Sequence, residues 1–101
     1  MRLTQQEIQI IKSSVRDVMG EDASVWLFGS RVDDSKRGGD IDLFVEADLP
    51  DPRTRMQKKS QLWAKLQLRL GEQRIDIIIA AAQSEEQKLI ERMARKTGIR
   101  L

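Results

Sequence analysis

At 101 residues, with 40% apolar and 34% charged side chains, the chain has the balance of one small globular domain over residues 1–101. It has no cysteine and no histidine, which excludes disulfides, thiolate- or imidazole-bound zinc, and Cys- or His-dependent nucleophile systems. Its net charge of +2 is too small to argue for nucleic acid by itself.

The predicted elements begin with a helix from Gln5 to Met19. Thr4 is its N-cap, Glu7 the capping-box partner, and Leu3 and Ile8 form the staple. Ile8, Ile11, Val15 and Val18 make its apolar stripe, and Gly20 stands where a C-terminal cap belongs. Val25-Trp26-Leu27-Phe28 is a short apolar run, read as a strand buried on both faces with Trp26 in the core. A polar loop rich in Asp, Lys and Gly follows. Residues 40–46 then alternate, with Ile41, Leu43 and Val45 on one side and Asp40, Asp42, Phe44 and Glu46 on the other.

Asp51 and Pro52 are the N-cap and first position of a long helix that runs to Leu70 and stops at Gly71. Met56, Trp63, Leu66 and Leu70 are its expected inner face. Residues 74–80 make a third strand, with Ile75, Ile77 and Ile79 on one face and Asp76 on the other. Ser84 and Gln87 start a last helix that is expected to carry Leu89, Ile90, Met93 and Ala94 inward. For Ile99 and Leu101, core and contact in a homo-oligomer are both open. The order αββαβα is that of an α/β (α+β) domain with a small mixed sheet and helices.

The chemistry is carried by acids. Asp40 and Asp42 lie two apart on a strand, so both point to one face, roughly 7 Å apart along the chain. Asp76 is an isolated carboxylate in Ile75-Asp76-Ile77-Ile78-Ile79, costly in a buried strand unless paired or metal-bound. A lone Asp-x-Asp on a solvated strand face usually carries no chemistry, and Asp76 by itself could be solvated at a strand end or paired with Arg74. Two acid sites, both within apolar strands, are a different matter: if the third strand lies beside the second, three carboxylates surround a divalent-ion site. With neither Cys nor His present, such an ion must be a hard, oxygen-bound cation. Gly29-Ser30 ends the first strand, where small residues allow close backbone approach to a phosphate. It is not a Walker A loop. Arg31, and after it Lys36 and Arg37, could neutralise a triphosphate.

Taken together, Leu27-Phe28-Gly29-Ser30-Arg31, nine intervening residues between Ser30 and Asp40, and Asp40-Ile41-Asp42-Leu43 resemble the polymerase-β-type nucleotidyltransferase superfamily. The αββαβα order and Ile75-Asp76-Ile77 extend the likeness over nearly the whole chain, and the short length is similar to the minimal nucleotidyltransferases. The loop of nine is one short of the ten common in that group, a deletion that bears on the phosphate contacts and not on the acids. The resemblance implies the nucleotidyltransferase fold, with Mg²⁺ (two ions) held by Asp40, Asp42 and Asp76. It further implies phosphates of ATP on Gly29 and Ser30 beside Arg31, and two-metal in-line displacement at the α-phosphorus, Asp76 helping as base.

The resemblance also implies a partner: minimal nucleotidyltransferases often accompany a helical HEPN-domain ribonuclease. The chain would then be the antitoxin, silencing that toxin by adding AMP to a tyrosine, with the acceptor supplied by the other protein. Two other readings stand beside it: a non-catalytic nucleotide-binding antitoxin that acts by occlusion, and a nucleotidyltransferase acting on a small molecule or an RNA end. The basic residues of the last two helices, including Lys58, Lys65, Arg69 and Arg92, are read first as solvated faces and second as a partner- or RNA-facing surface. No run of about 18 apolar residues is present and MRLTQQEIQI lacks a signal-peptide pattern, so no membrane contact and a cytoplasmic location are expected.

Overall fold

The structure, a computed structural model, describes residues 3–28, 41–49, 51–79, 88–89, 92–93, 96 and 98–101. The first helix, α1, spans Gln5–Met19. Its start is fixed by reciprocal bonds: the Glu7 N–H donates to Thr4 Oγ1 at 3.1 Å, and the Thr4 N–H donates to Glu7 Oε1 at 2.9 Å. These satisfy two N–H groups that the first turn leaves without partners. Gly20 ends the helix at φ 104°, where a side chain would be strained, and its N–H donates to the Arg16 carbonyl at 2.9 Å. Ile8, Ile11, Val15 and Val18 are buried as expected, together with Ser14.

Strand β1 (Ser24–Phe28) pairs antiparallel with β2 (Ile41–Glu46), with Val25 opposite Val45 and Leu27 opposite Leu43. Helix α2 (Pro52–Leu70) starts on Asp51 and ends at Gly71, whose φ is 86°. It is the crossover that parallel pairing requires: strand β3 (Ile75–Ile78) runs parallel to β2. The connection is held by two glutamines. Gln67 Nε2 donates to the Gln73 carbonyl at 2.7 Å, and the Gln73 N–H donates to Gln67 Oε1 at 3.1 Å. A strand not anticipated from the sequence, β4 (Ile99–Arg100), pairs antiparallel with β1. The mixed sheet has the order β3-β2-β1-β4. Lys88, Leu89, Arg92, Met93 and Lys96 are helical, so the observed order extends the expected αββαβα by one edge strand.

The main core lies between the helices and one face of the sheet. Ile11 and Val15 of α1 and Leu62 and Leu66 of α2 meet Leu27, Ile41, Leu43, Val45, Ile75 and Ile77 of the sheet. Burying a leucine in this way contributes about 1.5–3 kcal/mol. The two helices are also linked by charge: Arg69 donates to Ser14 Oγ at 3.1 Å and to Asp17 at 3.2 Å, and Lys65 lies 3.8 Å from Asp17. Lys65 and Arg69 thus pair with Asp17 of α1 at the surface. Among the described residues no helix is long and apolar enough to cross a membrane.

Several expected core residues lie elsewhere. Met56 is 71% exposed and Trp63 48% exposed, because α2 turns Leu62 and Leu66 inward instead. Leu70 is partly buried against the core. Leu89 and Met93 are 56% and 58% exposed, so the last helical stretch does not bury them. Ile90 and Ala94, and the Ser84–Gln87 cap, lie outside the described residues. Trp26 is only half-buried, packed with Phe28 and Ile78 on Phe44; β1 is closed on one face and partly open on the other. Ile99 is paired in the sheet and Leu101 packs on the core, and both are half-buried.

Candidate functional site

Alternation in the strands gives the sheet two unlike faces. Ile41, Leu43, Val45, Ile75 and Ile77 point to the core, so Asp42, Phe44, Asp76 and Ile78 point the other way. The Ile41 N–H donates to the Arg74 carbonyl at 2.9 Å and sets the parallel ladder. That register places Asp42 opposite Asp76. Paired residues on adjacent strands share a face, and the strands lie about 4.8 Å apart. The two acids thus share one face on neighbouring strands and line one cavity, the arrangement expected if the third strand lies beside the second.

Next to the acids in the sheet is an aromatic row. Phe28 is opposite Asp42 on β1, and one step on Trp26, Phe44 and Ile78 lie side by side. Phe44 is fully covered, while the indole N–H of Trp26 donates to Glu46 Oε1 at 2.6 Å. Asp42 is half-buried, flanked by Phe28 and Asp76. Asp76 is exposed, because β3 is an edge strand and its non-core face opens to solvent. The desolvation cost expected of a buried carboxylate at this position is therefore not incurred.

The acid pair opens on a cavity of about 620 Å³ that wraps around the β3 edge to α2. Met56, Lys59, Ser60 and Trp63 form its α2 wall. They fall at i, i+3, i+4 and i+7 and so share one side of the helix. Met56 and Trp63 are expected in the core and Lys59 on a basic face; the helical spacing of Met56, Ser60 and Trp63 is the signal that could have found this wall.

Of the expected site residues, Asp42 and Asp76 are brought together. Asp40, Gly29, Ser30 and Arg31 lie outside the described residues, as do Lys36 and Arg37. Asp40 directly precedes Ile41, the first residue of β2. Among the described residues no group of three carboxylates is placed to hold a metal ion. The pair nonetheless suits a hard cation: two oxygen donors on one face, beside open volume, without soft ligands. Two like charges at this spacing repel and gain from a bound cation.

A family model for a nucleotidyltransferase domain matches residues 8–99, a span that runs from the first turn of α1 to the start of β4. A search of curated proteins finds no match.

Proposed function

The chain belongs to the nucleotidyltransferase domain family, and from that premise we propose that it transfers AMP from Mg²⁺–ATP to a tyrosine of a HEPN-type ribonuclease, as the cytoplasmic antitoxin of a toxin–antitoxin pair. The observation that carries the catalytic part of this reading is the register that sets Asp42 beside Asp76. Two carboxylates on one cavity favour catalysis over occlusion alone.

The residues divide the work. Asp40, Asp42 and Asp76 would hold Mg²⁺, and Gly29, Ser30 and Arg31 would hold the β- and γ-phosphates after β1. Bound Mg²⁺ supplies charge neutralisation of the triphosphate and a more acidic acceptor hydroxyl. The acceptor oxygen forms a bond to the α-phosphorus as the bond to the bridging oxygen breaks. Pyrophosphate leaves with that electron pair, and the hydroxyl proton passes to the carboxylate of Asp76 or to water. Asp76 suits the acceptor side because it is the outermost acid of the sheet and the more exposed of the pair. The chain contributes mainly position and charge.

The test is mass spectrometry of the helical protein encoded beside this chain, after incubation with the chain and Mg²⁺–ATP. A gain of one or more AMP units on a tyrosine, lost with Asp42→Asn, is the expected result. Full neutralisation of the partner by that variant without any mass gain would indicate occlusion. Label appearing on an RNA end or a small molecule would move the reaction to another acceptor.

A further inference from the structure

We propose that the cavity between α2 and the β3 edge is the acceptor site, and that it receives an aromatic hydroxyl, the phenol of a tyrosine side chain, against Trp63. This rests on the reaction proposed above and adds where, and by which residues, its acceptor is held.

The size of the cavity is the first argument. A volume of about 620 Å³ is in the range of small-ligand pockets and far exceeds what cations between two carboxylates occupy. Its wall is the second. Leu62 and Leu66 already provide the buried contact of α2, yet the helix also places Met56 and Trp63 on the cavity, 71% and 48% exposed. Large apolar side chains left in water beside a polar pair are a common form of binding surface.

Sidedness is the third argument. The chain passes from Phe28 of β1 directly into Gly29 and Ser30, and the order β3-β2-β1 puts β1 on one side of Asp42 and Asp76 on the other. In-line displacement requires the attacking oxygen and the departing pyrophosphate on opposite sides of the α-phosphorus. With the β- and γ-phosphates held after β1, the acceptor enters from β3, where this cavity lies.

The wall chemistry then selects the acceptor class. An indole face and a thioether both favour an aromatic ring. The ammonium of Lys59, on the same wall, favours ionisation of a phenol, whose unperturbed pKa of about 10 otherwise keeps it protonated at neutral pH. A serine hydroxyl would gain nothing from the indole.

The two tryptophans make a direct test. Their indole N–H resonances are followed by ¹⁵N NMR in the wild-type chain while N-acetyl-L-tyrosinamide is added, with N-acetyl-L-serinamide and adenosine titrated in parallel. The expected result is a saturating shift of the Trp63 signal with the tyrosine probe alone. Trp26, bonded to Glu46, should stay in place. No saturating shift with the tyrosine probe overturns the proposal, and so does a shift of Trp63 with adenosine alone, which would indicate an RNA-end site. A second measurement uses Trp63→Ala, in which acceptor KM should rise at least tenfold while Mg²⁺–ATP affinity is unchanged. If the wild-type chain neither binds Mg²⁺–ATP nor transfers AMP, the reaction proposed above fails, and the tyrosinamide titration still decides the acceptor site by itself.

Discussion

Two groups of carboxylates stand at opposite ends of β2. At one end Asp42 and Asp76 share a sheet face and border the larger cavity. At the other, Glu21, Asp22, Glu46 and Asp48 line a cavity of about 410 Å³ between the end of α1 and the end of β2. The second group has more acids, yet only the first has the making of a site. Glu21, Asp22 and Asp48 lie in turns and connections and are exposed, and Glu46 accepts a bond from Trp26. The first pair is set by backbone register, which points both side chains at one spot whether or not a ligand is bound. Convergence fixed by secondary structure, rather than the number of charges, distinguishes a candidate metal site from an acidic surface.

The comparison can be broken most easily by neutralising one acid from each end. Asp42→Asn is expected to lower AMP transfer by about a thousandfold, or ~4 kcal/mol of transition-state stabilisation, whereas Asp22→Asn should leave the rate unchanged. Equal effects in a labelled-ATP assay would erase the distinction. Asp76→Asn should also impair transfer, and without Mg²⁺ its melting temperature should equal or exceed that of the wild type, since a like-charge repulsion is removed.

The next effect concerns the core that sets the register. Leu66 is fully buried, and Leu66→Ala should cost about 3 kcal/mol in denaturant unfolding. The rate per folded molecule should hold, because the acids occupy the opposite face. Smaller again is Thr4→Ala, which removes one half of the capping box and should cost about 1 kcal/mol without touching transfer.

The smallest effect is a matter of pH. The Thr54 hydroxyl, donating to Asp51 Oδ2 at 2.8 Å, holds the Asp51 carboxyl below the ordinary carboxylate range, and the Arg53 N–H adds to this. A depressed folded pKa stabilises the fold above the unfolded value, near 3.9, and that contribution is lost as pH falls through the folded value. The difference in melting temperature between wild type and Asp51→Asn should therefore be constant at neutral pH and change only on the acid side.

Helix ends were legible in the sequence because their determinants are local: Thr4 with Glu7, Asp51 with Pro52, and the glycines at 20 and 71 each act within a turn. The alternation of β2 likewise identified which side of the strand would carry Asp42. The inward face of α2 was not legible. Its apolar residues support two overlapping stripes, one through Met56, Trp63 and Leu70 and one through Leu62, with Leu66 common to both. Packing on α1 and the sheet selects Leu62, and Trp63 is left for the cavity. Strand β4 has only two residues and pairs with a segment more than seventy positions away, so no local pattern marks it. Asp42 and Asp76 could be nominated as acids in apolar strands, but their meeting depends on the parallel register.

The most direct measurement is paramagnetic broadening by Mn²⁺, which accepts the same oxygen ligands as Mg²⁺, in ¹⁵N spectra of the chain with ATP. If Asp42 and Asp76 hold the ion, the amides of Ile41, Asp42, Leu43, Ile75, Asp76 and Ile77 should disappear at the lowest metal concentrations while those of Glu21, Asp22 and Asp48 persist. Broadening that begins at Glu21, Asp22 and Asp48, or that spreads evenly over the acidic surface, would contradict the assignment of the site.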